Sequence, residues 1–123
     1  MTSDTLVSGS MRDGVLVLSI LVEQLRDPET VYSLRDEIMS RVNESGTKDL
    51  VLDLERVTSV GSVGFLAFLS VRRHLASGNI VLANLSAPVR DTFQISRLIS
   101  DDLSHTAPFI TASDVDAALE HLA

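Results

Sequence analysis

The sequence has no cysteine, no tryptophan and a single lysine, Lys48, among its 123 residues. Without cysteine, the chain forms no disulfide and offers no thiolate to a metal or a substrate. Its aromatic residues are one tyrosine and four phenylalanines, which are too few to build a platform for stacked nucleic-acid bases. These absences exclude disulfide scaffolds and thiol enzymes, and they argue against a binder of single-stranded nucleic acid.

Positive charge is also scarce, because the net charge is −7 and Arg72-Arg73 is the only basic pair. We therefore expect neither nucleic acid nor a membrane as a partner. No apolar run approaches the length of a membrane helix, and the N-terminus has no signal-peptide pattern, so we expect a cytoplasmic protein. His74, His105 and His121 are far apart, and the sequence predicts no metal site and no cofactor.

The first half of the chain predicts a β-hairpin followed by a helix and a strand. Apolar segments 6–11 and 15–22 flank Asp13-Gly14, which is a strong turn signal. Asp27 and Pro28 are typical of a helix start, and Ser45-Gly46 is typical of a helix end. Segment 49–54 is a short apolar strand, and a strand–helix–strand order implies a right-handed crossover with parallel pairing.

The second half continues the alternation. We predict a loop over 55–61, an apolar helix over 62–77, a strand over 79–83 and a helix that begins near Ser86. A short edge strand over 108–111 and a final helix follow. The sequence thus predicts one domain, 1–123, of the α/β class, with a single mixed sheet of four to five strands and about four helices.

The most informative stretch connects the predicted strand 49–54 to the predicted helix 62–77. It runs from Asp53 through a polar loop to Ser62, where a very apolar helix begins. A hydroxyl at that place faces the first helical N–H groups and the positive end of the helix dipole. Ser62 is therefore a candidate N-cap, a candidate phosphoacceptor, or both.

Several segments together resemble the STAS domain family, which includes the bacterial anti-sigma-factor antagonists. They are the opening hairpin, Asp27, the strand 50–54, the motif Gly61-Ser62-Val63-Gly64, and the segments 78–83 and 86–93. The resemblance implies that Ser62 is phosphorylated by an anti-sigma factor that is also a serine kinase. It also implies that a phosphatase restores the unphosphorylated, kinase-binding form. Gly64 falls on the glycine of the family motif, and Asp27 and Asp53 fall on polar positions beside it.

The motif departs from the family pattern at two positions. Gly61 stands where the family has an aspartate, and Val63 stands where it has a second serine. The missing carboxylate leaves two alternatives open, a modified phosphorylation switch and a module that binds its partner constitutively.

The apolar helix after Ser62 suggests a contact surface. We predict that at least one of Val63, Phe65 and Phe68 is exposed and forms a partner or dimer surface. Gly61 and Gly64 provide either a bare surface for a partner or close packing of the helix. The chain is expected to be a monomer or a weak homodimer.

No residue pattern suggests catalysis. Asp27 is better explained as a helix cap and Asp53 as a solvated strand end than as an acid–base pair. We therefore predict a non-enzymatic interaction module of the antagonist type. The alternative is a STAS module that binds a nucleotide or small molecule, or an accessory subunit of a transport complex.

Overall fold

The structure, a computed structural model, describes residues 5–95, 99–100 and 108–123. The elements in chain order are β1 (Val7–Arg12), β2 (Val15–Ile20), β3 (Gln24–Leu25), α1 (Pro28–Ser45), β4 (Leu50–Asp53), β5 (Ser59–Val60), α2 (Ser62–His74), β6 (Ile80–Ala83), α3 (Ala87–Ile95), β7 (Ile99–Ser100), β8 (Phe109–Ala112) and α4 (Val115–Leu122). His105 lies outside the described residues.

The main sheet is mixed, with the strand order β1-β2-β4-β6-β8-β7. β1 and β2 form the predicted antiparallel hairpin, and every later neighbour pairs in parallel. The α/β class, the mixed sheet and the four helices are confirmed. The main sheet has one strand more than the predicted range. The extra strand is β7, which pairs with β8 through Ile99 and Phe109. The strand predicted at 108–111 is present as β8, but its predicted position at the edge was wrong, because β8 lies between β6 and β7.

A second, two-stranded sheet is the main difference from the predicted architecture. β3 and β5 pair in parallel, Gln24 with Ser59 and Leu25 with Val60. The segment 55–61, predicted as loop, therefore contains a strand. A two-residue strand has no visible periodicity, so only its partner 35 positions away reveals it.

The alternation of side chains along the main sheet produces two cores, one on each face. Leu16, Leu18 and Leu52 face α1, α2 and α3 in the larger core. Val17 and Val51 face α4 in the smaller one. β2 is buried on both faces of the sheet, since five of its six residues are buried.

α2 ends at His74, three residues earlier than predicted, and Leu75 is its C-cap. Gly78, which follows the helix, lies at a point of very close backbone contact. A Cβ atom at Gly78 would lie 1.3 Å from the carbonyl oxygen of Lys48. Glycine is therefore needed because two backbone segments come into direct contact there.

Candidate functional site

The β3–β5 pair brings the starts of α1 and α2 together. The backbone N–H of Gly61 donates to the carbonyl oxygen of Leu25 at 2.9 Å, and that of Thr58 donates to Glu23 at 2.8 Å. Each strand leads directly into its helix, so Asp27 and Ser62 begin neighbouring helices. We call this region, formed by residues 25–28 and 59–64, the paired helix starts.

The start of α1 is closed, in the sense that a side chain caps its first backbone N–H groups. Asp27 is the N-cap, and its carboxylate accepts from the backbone N–H of Thr30 at 2.9 Å and from the Thr30 hydroxyl at 2.8 Å. These two hydrogen bonds, the backbone bond first, hold the pKa of Asp27 below its ordinary value. Asp27 acts here as a cap, as the sequence suggested.

The start of α2 is open, in the sense that no side chain caps its first backbone N–H groups. Gly61 is the N-cap, with φ −98° and ψ −176°, and no side chain caps the helix. Ser62 is the first helical residue, so its interpretation as an N-cap was wrong. Ser62 is exposed, and its hydroxyl forms no hydrogen bond within the described part of the chain. The first turn contains no acidic residue, so the positive end of the helix dipole is uncompensated there.

Gly64 lets α2 approach the β3–β5 pair closely. A Cβ atom at this position would lie 2.7 Å from Cγ1 of Val60 and 3.0 Å from the carbonyl oxygen of Leu25. Gly64 is itself buried. Its contacts favour the packing interpretation of this glycine over a bare surface for a partner.

Arg26 is the residue of this region that sequence reasoning missed. Its side chain lies against Gly61, where a Cβ atom would be 3.4 Å from Cγ and 3.6 Å from Nη1 of the arginine. Its Nε donates a hydrogen bond to the hydroxyl of Ser59. No sequence pattern marks an arginine next to a helix cap as functional. The contact between Arg26 and Gly61 depends on the pairing of β3 with β5.

The apolar residues that follow Ser62 are more buried than predicted. Phe68 is 2% exposed and belongs to the core, so it offers no surface. Val63 and Phe65 are half-buried, and Phe65 packs against Phe93 with ring centroids 4.9 Å apart. The exposed apolar residue of this helix is Leu66, at 59%, which the prediction had passed over.

Asp53 does not contribute to the paired helix starts through any described hydrogen bond. Its carboxylate accepts from the Ser19 hydroxyl at 3.3 Å, from the Asn84 side-chain amide at 3.0 Å and from the backbone N–H of Glu55 at 3.0 Å. It lines a separate polar pocket of about 250 Å³ together with Ser8, Ser19, Ile20, Leu21, Glu55 and Arg56. Asp53 is thus bound by neighbouring groups rather than being only a solvated strand end.

Among the residues that the structure describes, no group of three or more histidine, aspartate or glutamate residues is arranged to hold a metal ion. No helix in the same ranges is both long and apolar enough to cross a membrane.

Known structures with the same fold include bacterial regulators. A variant of RsbS from Moorella thermoacetica has a TM-score of 0.71 and 21% identity, and the match covers 96% of this chain and 95% of that one. SpoIIAA of Bacillus, an anti-sigma factor antagonist in its unphosphorylated form, has a TM-score of 0.64 and 18% identity, with 94% and 96% coverage. At such identities the likeness shows the fold alone.

A transporter also contains this fold. The murine anion transporter Slc26a9 has a TM-score of 0.66 and 19% identity, and the match covers 89% of this chain but 18% of the transporter. A comparison with curated protein sequences found no significant match. The family model of the STAS domain matches residues 12–110. That match spans most of the chain and agrees with the observed topology, so the protein belongs to the STAS domain family and has the fold of the anti-sigma-factor antagonists.

Proposed function

We propose that the protein is an anti-sigma-factor antagonist that binds a serine kinase at the paired helix starts and is switched by phosphorylation of Ser62. The observation that carries this proposal is the state of Ser62 itself. It is exposed, it is the first residue of α2, and its hydroxyl is not bound by any described residue. A kinase can reach such a hydroxyl without unfolding the helix.

The chemical step is a phosphoryl transfer from ATP. The oxygen of the Ser62 hydroxyl forms a bond to the γ-phosphorus while the bond between that phosphorus and the β–γ bridging oxygen breaks. ADP leaves, and the hydroxyl proton passes to a base of the kinase. A phosphatase then hydrolyses the serine phosphate with water and restores the hydroxyl. This protein supplies only the acceptor, so it needs no cofactor and is not itself an enzyme.

Charge explains how the modification changes binding. The phosphoryl group adds a charge of about −1.5 to −2 at neutral pH. Ser62 has the exposed Leu66 and the half-buried Val63 and Phe65 nearby on α2. We propose that these apolar groups and Gly61 contact the kinase, with Asp27 at the edge of the contact. The added charge then repels an acidic surface on the kinase and releases it. Because the start of α2 is already formed, the switch requires no refolding.

The test is phosphorylation in vitro by purified serine kinases of the anti-sigma-factor type from the same genome. The wild type is incubated with kinase and ATP, and the phosphate is mapped by mass spectrometry. We expect label on Ser62, none on Ser62→Ala, and normal label on Ser33→Ala, which removes an exposed serine of α1. A kinase that is active on another substrate but leaves Ser62 unlabelled would contradict the switch.

Binding is tested separately with the unphosphorylated chain. Ser62→Asp is expected to weaken the complex with the kinase, while Ser33→Asp leaves it unchanged. Equal affinity of the wild type and Ser62→Asp would favour the alternative of a constitutive module.

One observation favours a second function, a small-molecule or nucleotide site. The polar pocket of about 250 Å³ beside Asp53 contains Glu55 and Arg56, and STAS-like structure also occurs in a transporter. Calorimetric titration with ATP and GTP tests it, with Arg56→Gln as the control. A tight, saturable site that Arg56→Gln abolishes would make ligand binding the function.

A further inference from the structure

The side chain of Arg26 is placed beside the residue that precedes Ser62. A Cβ atom on Gly61 would be 3.6 Å from Nη1 of Arg26, and consecutive Cα atoms are about 3.8 Å apart. Arg26 is exposed, so its guanidinium can change rotamer without disturbing the core. A phosphate on Ser62 is therefore within reach of the guanidinium.

Arg26 also has no charged partner among the described residues. The three ion pairs there use Arg12, Arg35 and Arg41. The neighbouring carboxylate, Asp27, is bound to Thr30. The hydrogen bond from Arg26 to Ser59 has a neutral acceptor. Bonds from a guanidinium to an ionised acceptor are roughly twice as strong as neutral ones, so a phosphate competes well against Ser59.

A pocket of about 200 Å³ lies next to this arginine, between β5 and α3. Its lining consists of Arg26, Thr58, Ser59, Val60, Pro88, Val89 and Thr92. Arg26 is the only charged residue in that lining, and three of the others carry hydroxyl groups. The Thr58 hydroxyl donates to the carbonyl oxygen of Glu23, and the Thr92 hydroxyl donates to that of Pro88. The guanidinium of Arg26 and the Ser59 hydroxyl, which accepts from it, are therefore the groups that can donate to a phosphate.

Because Gly61 has no side chain, it leaves the guanidinium of Arg26 free to bind a phosphate. Any side chain at this position would begin in contact with the arginine, and an aspartate would place its carboxylate there. The family pattern has aspartate at the equivalent of Gly61. The combination of Gly61 and Arg26 therefore replaces an acidic neighbour of the phosphoacceptor by a basic one.

We propose that Arg26 is a positioning residue for phosphoserine at position 62, and that its guanidinium leaves Ser59 to pair with the phosphate beside the hydroxyl-lined pocket. This inference rests on the proposed function, since it concerns the phosphorylated form. It means that the phosphate is partly neutralised and held in one orientation. The switch then acts through the placement of the phosphate as well as through its charge.

The experiment installs phosphoserine at position 62 by genetic encoding, so no kinase is needed. The second pKa of the phosphate is measured by ³¹P NMR titration, with circular dichroism as a check of folding. The second pKa of an ordinary phosphoserine is about 6. A paired guanidinium favours the dianion, so we expect the phosphate pKa of the folded protein to lie roughly half a unit or more below that value.

The variants separate the role of Arg26 from a general charge effect. Arg26→Gln should raise the phosphate pKa by roughly half a unit, and Arg26→Lys should raise it less. Arg12→Gln removes the same charge from an exposed pair with Asp116 at the opposite end of the sheet, and it should leave the phosphate pKa unchanged. Asp27 stays ionised throughout, because its pKa lies below its ordinary value of 3.8.

Equal phosphate pKa values for the wild type, Arg26→Gln and Arg12→Gln would overturn the inference. That result would leave the proposed function intact, because the kinase could still label Ser62. Conversely, absence of kinase labelling would refute the proposed function, while the NMR titration would still report on the pairing of Arg26 with the phosphate.

Discussion

The starts of α1 and α2 are neighbours built in the same way, yet one is closed and the other is open. Each helix follows a strand of the β3–β5 pair. Asp27 caps α1 with its carboxylate, whereas Gly61 begins α2 without any side-chain cap. An N-cap side chain typically stabilises a helix by about 1 kcal/mol. α2 therefore lacks the stabilisation of an N-cap side chain next to Ser62, the phosphoacceptor that the family resemblance implies.

The difference teaches that α2 is held by packing rather than by its terminus. Phe68 and Val71 are 2% and 1% exposed, and Phe68, Phe93 and Phe109 form one cluster of rings. Gly64 lets the first turn lie against Leu25 and Val60. Because packing fixes the helix, the first N–H groups and the Ser62 hydroxyl remain available to a partner.

The largest effect is expected from Gly64→Val, which breaks the packing that compensates for the missing cap. The new side chain would overlap Val60 and the backbone of Leu25, and overpacking of this kind costs about 1–3 kcal/mol. We expect the free energy of unfolding to fall by roughly 3 kcal/mol in urea titrations. Gly61→Ala is the control, with an expected loss below about 1 kcal/mol. Equal losses for the two variants would show that close packing at Gly64 is not what holds α2.

Asp27→Ala opens the closed helix start and should have the second largest effect. The variant loses the hydrogen bonds to Thr30, so its urea midpoint should be lower at neutral pH. The folded-state pKa of Asp27 lies below 3.8. The stabilisation by the charged form is therefore present above that value and lost as the pH falls through the folded-state pKa. The difference from wild type should shrink over the same range, and a difference independent of pH would contradict this assignment.

Asp27→Asn is the control for that prediction. Asparagine is also a good N-cap, so this variant should keep most of the stability at neutral pH. It lacks the ionisable carboxyl, so it should lose the acid dependence that Asp27 contributes.

Gly61→Asp closes the open helix start and should have a smaller, opposite effect. The backbone of Gly61 is extended and acceptable to any residue, and an aspartate cap is favoured over glycine by a few tenths of a kcal/mol. A contact with Arg26 adds a similar amount. We expect about 0.5 kcal/mol of stabilisation by urea titration. A destabilised variant would show that the contact with Arg26 is too tight for a side chain.

Ser62→Ala should have the smallest effect, because the Ser62 hydroxyl caps nothing in the described structure. We expect a change within about 0.5 kcal/mol. Ser45→Ala is the matched control at a helix end. Its hydroxyl donates to Val42 at 2.9 Å and accepts from Thr47 at 3.1 Å, so its loss should cost about 1 kcal/mol. A large loss for Ser62→Ala would mean that the serine is structural.

The sequence by itself determined the main architecture, because that depends on local patterns. Asp13-Gly14 specifies the hairpin turn, and both residues have positive φ angles of 54° and 82°. Asp27 and Pro28 specify the start of α1, and the apolar run 15–22 specifies a strand buried on both faces. The position of Ser62 at the start of an apolar helix was also readable, since the switch from polar loop to apolar run is local.

The environment of Ser62 was decided only by the tertiary structure. The β3–β5 pair joins two segments 35 residues apart, and neither strand is long enough to show a period. That pairing places Arg26 against Gly61 and makes Gly64 a contact residue. On α2, Leu66 rather than Phe68 is the exposed large apolar side chain. A local sequence pattern indicates which helices and strands form. The contacts between distant segments depend on how those elements pack. These contacts determine the charge and the accessibility around Ser62.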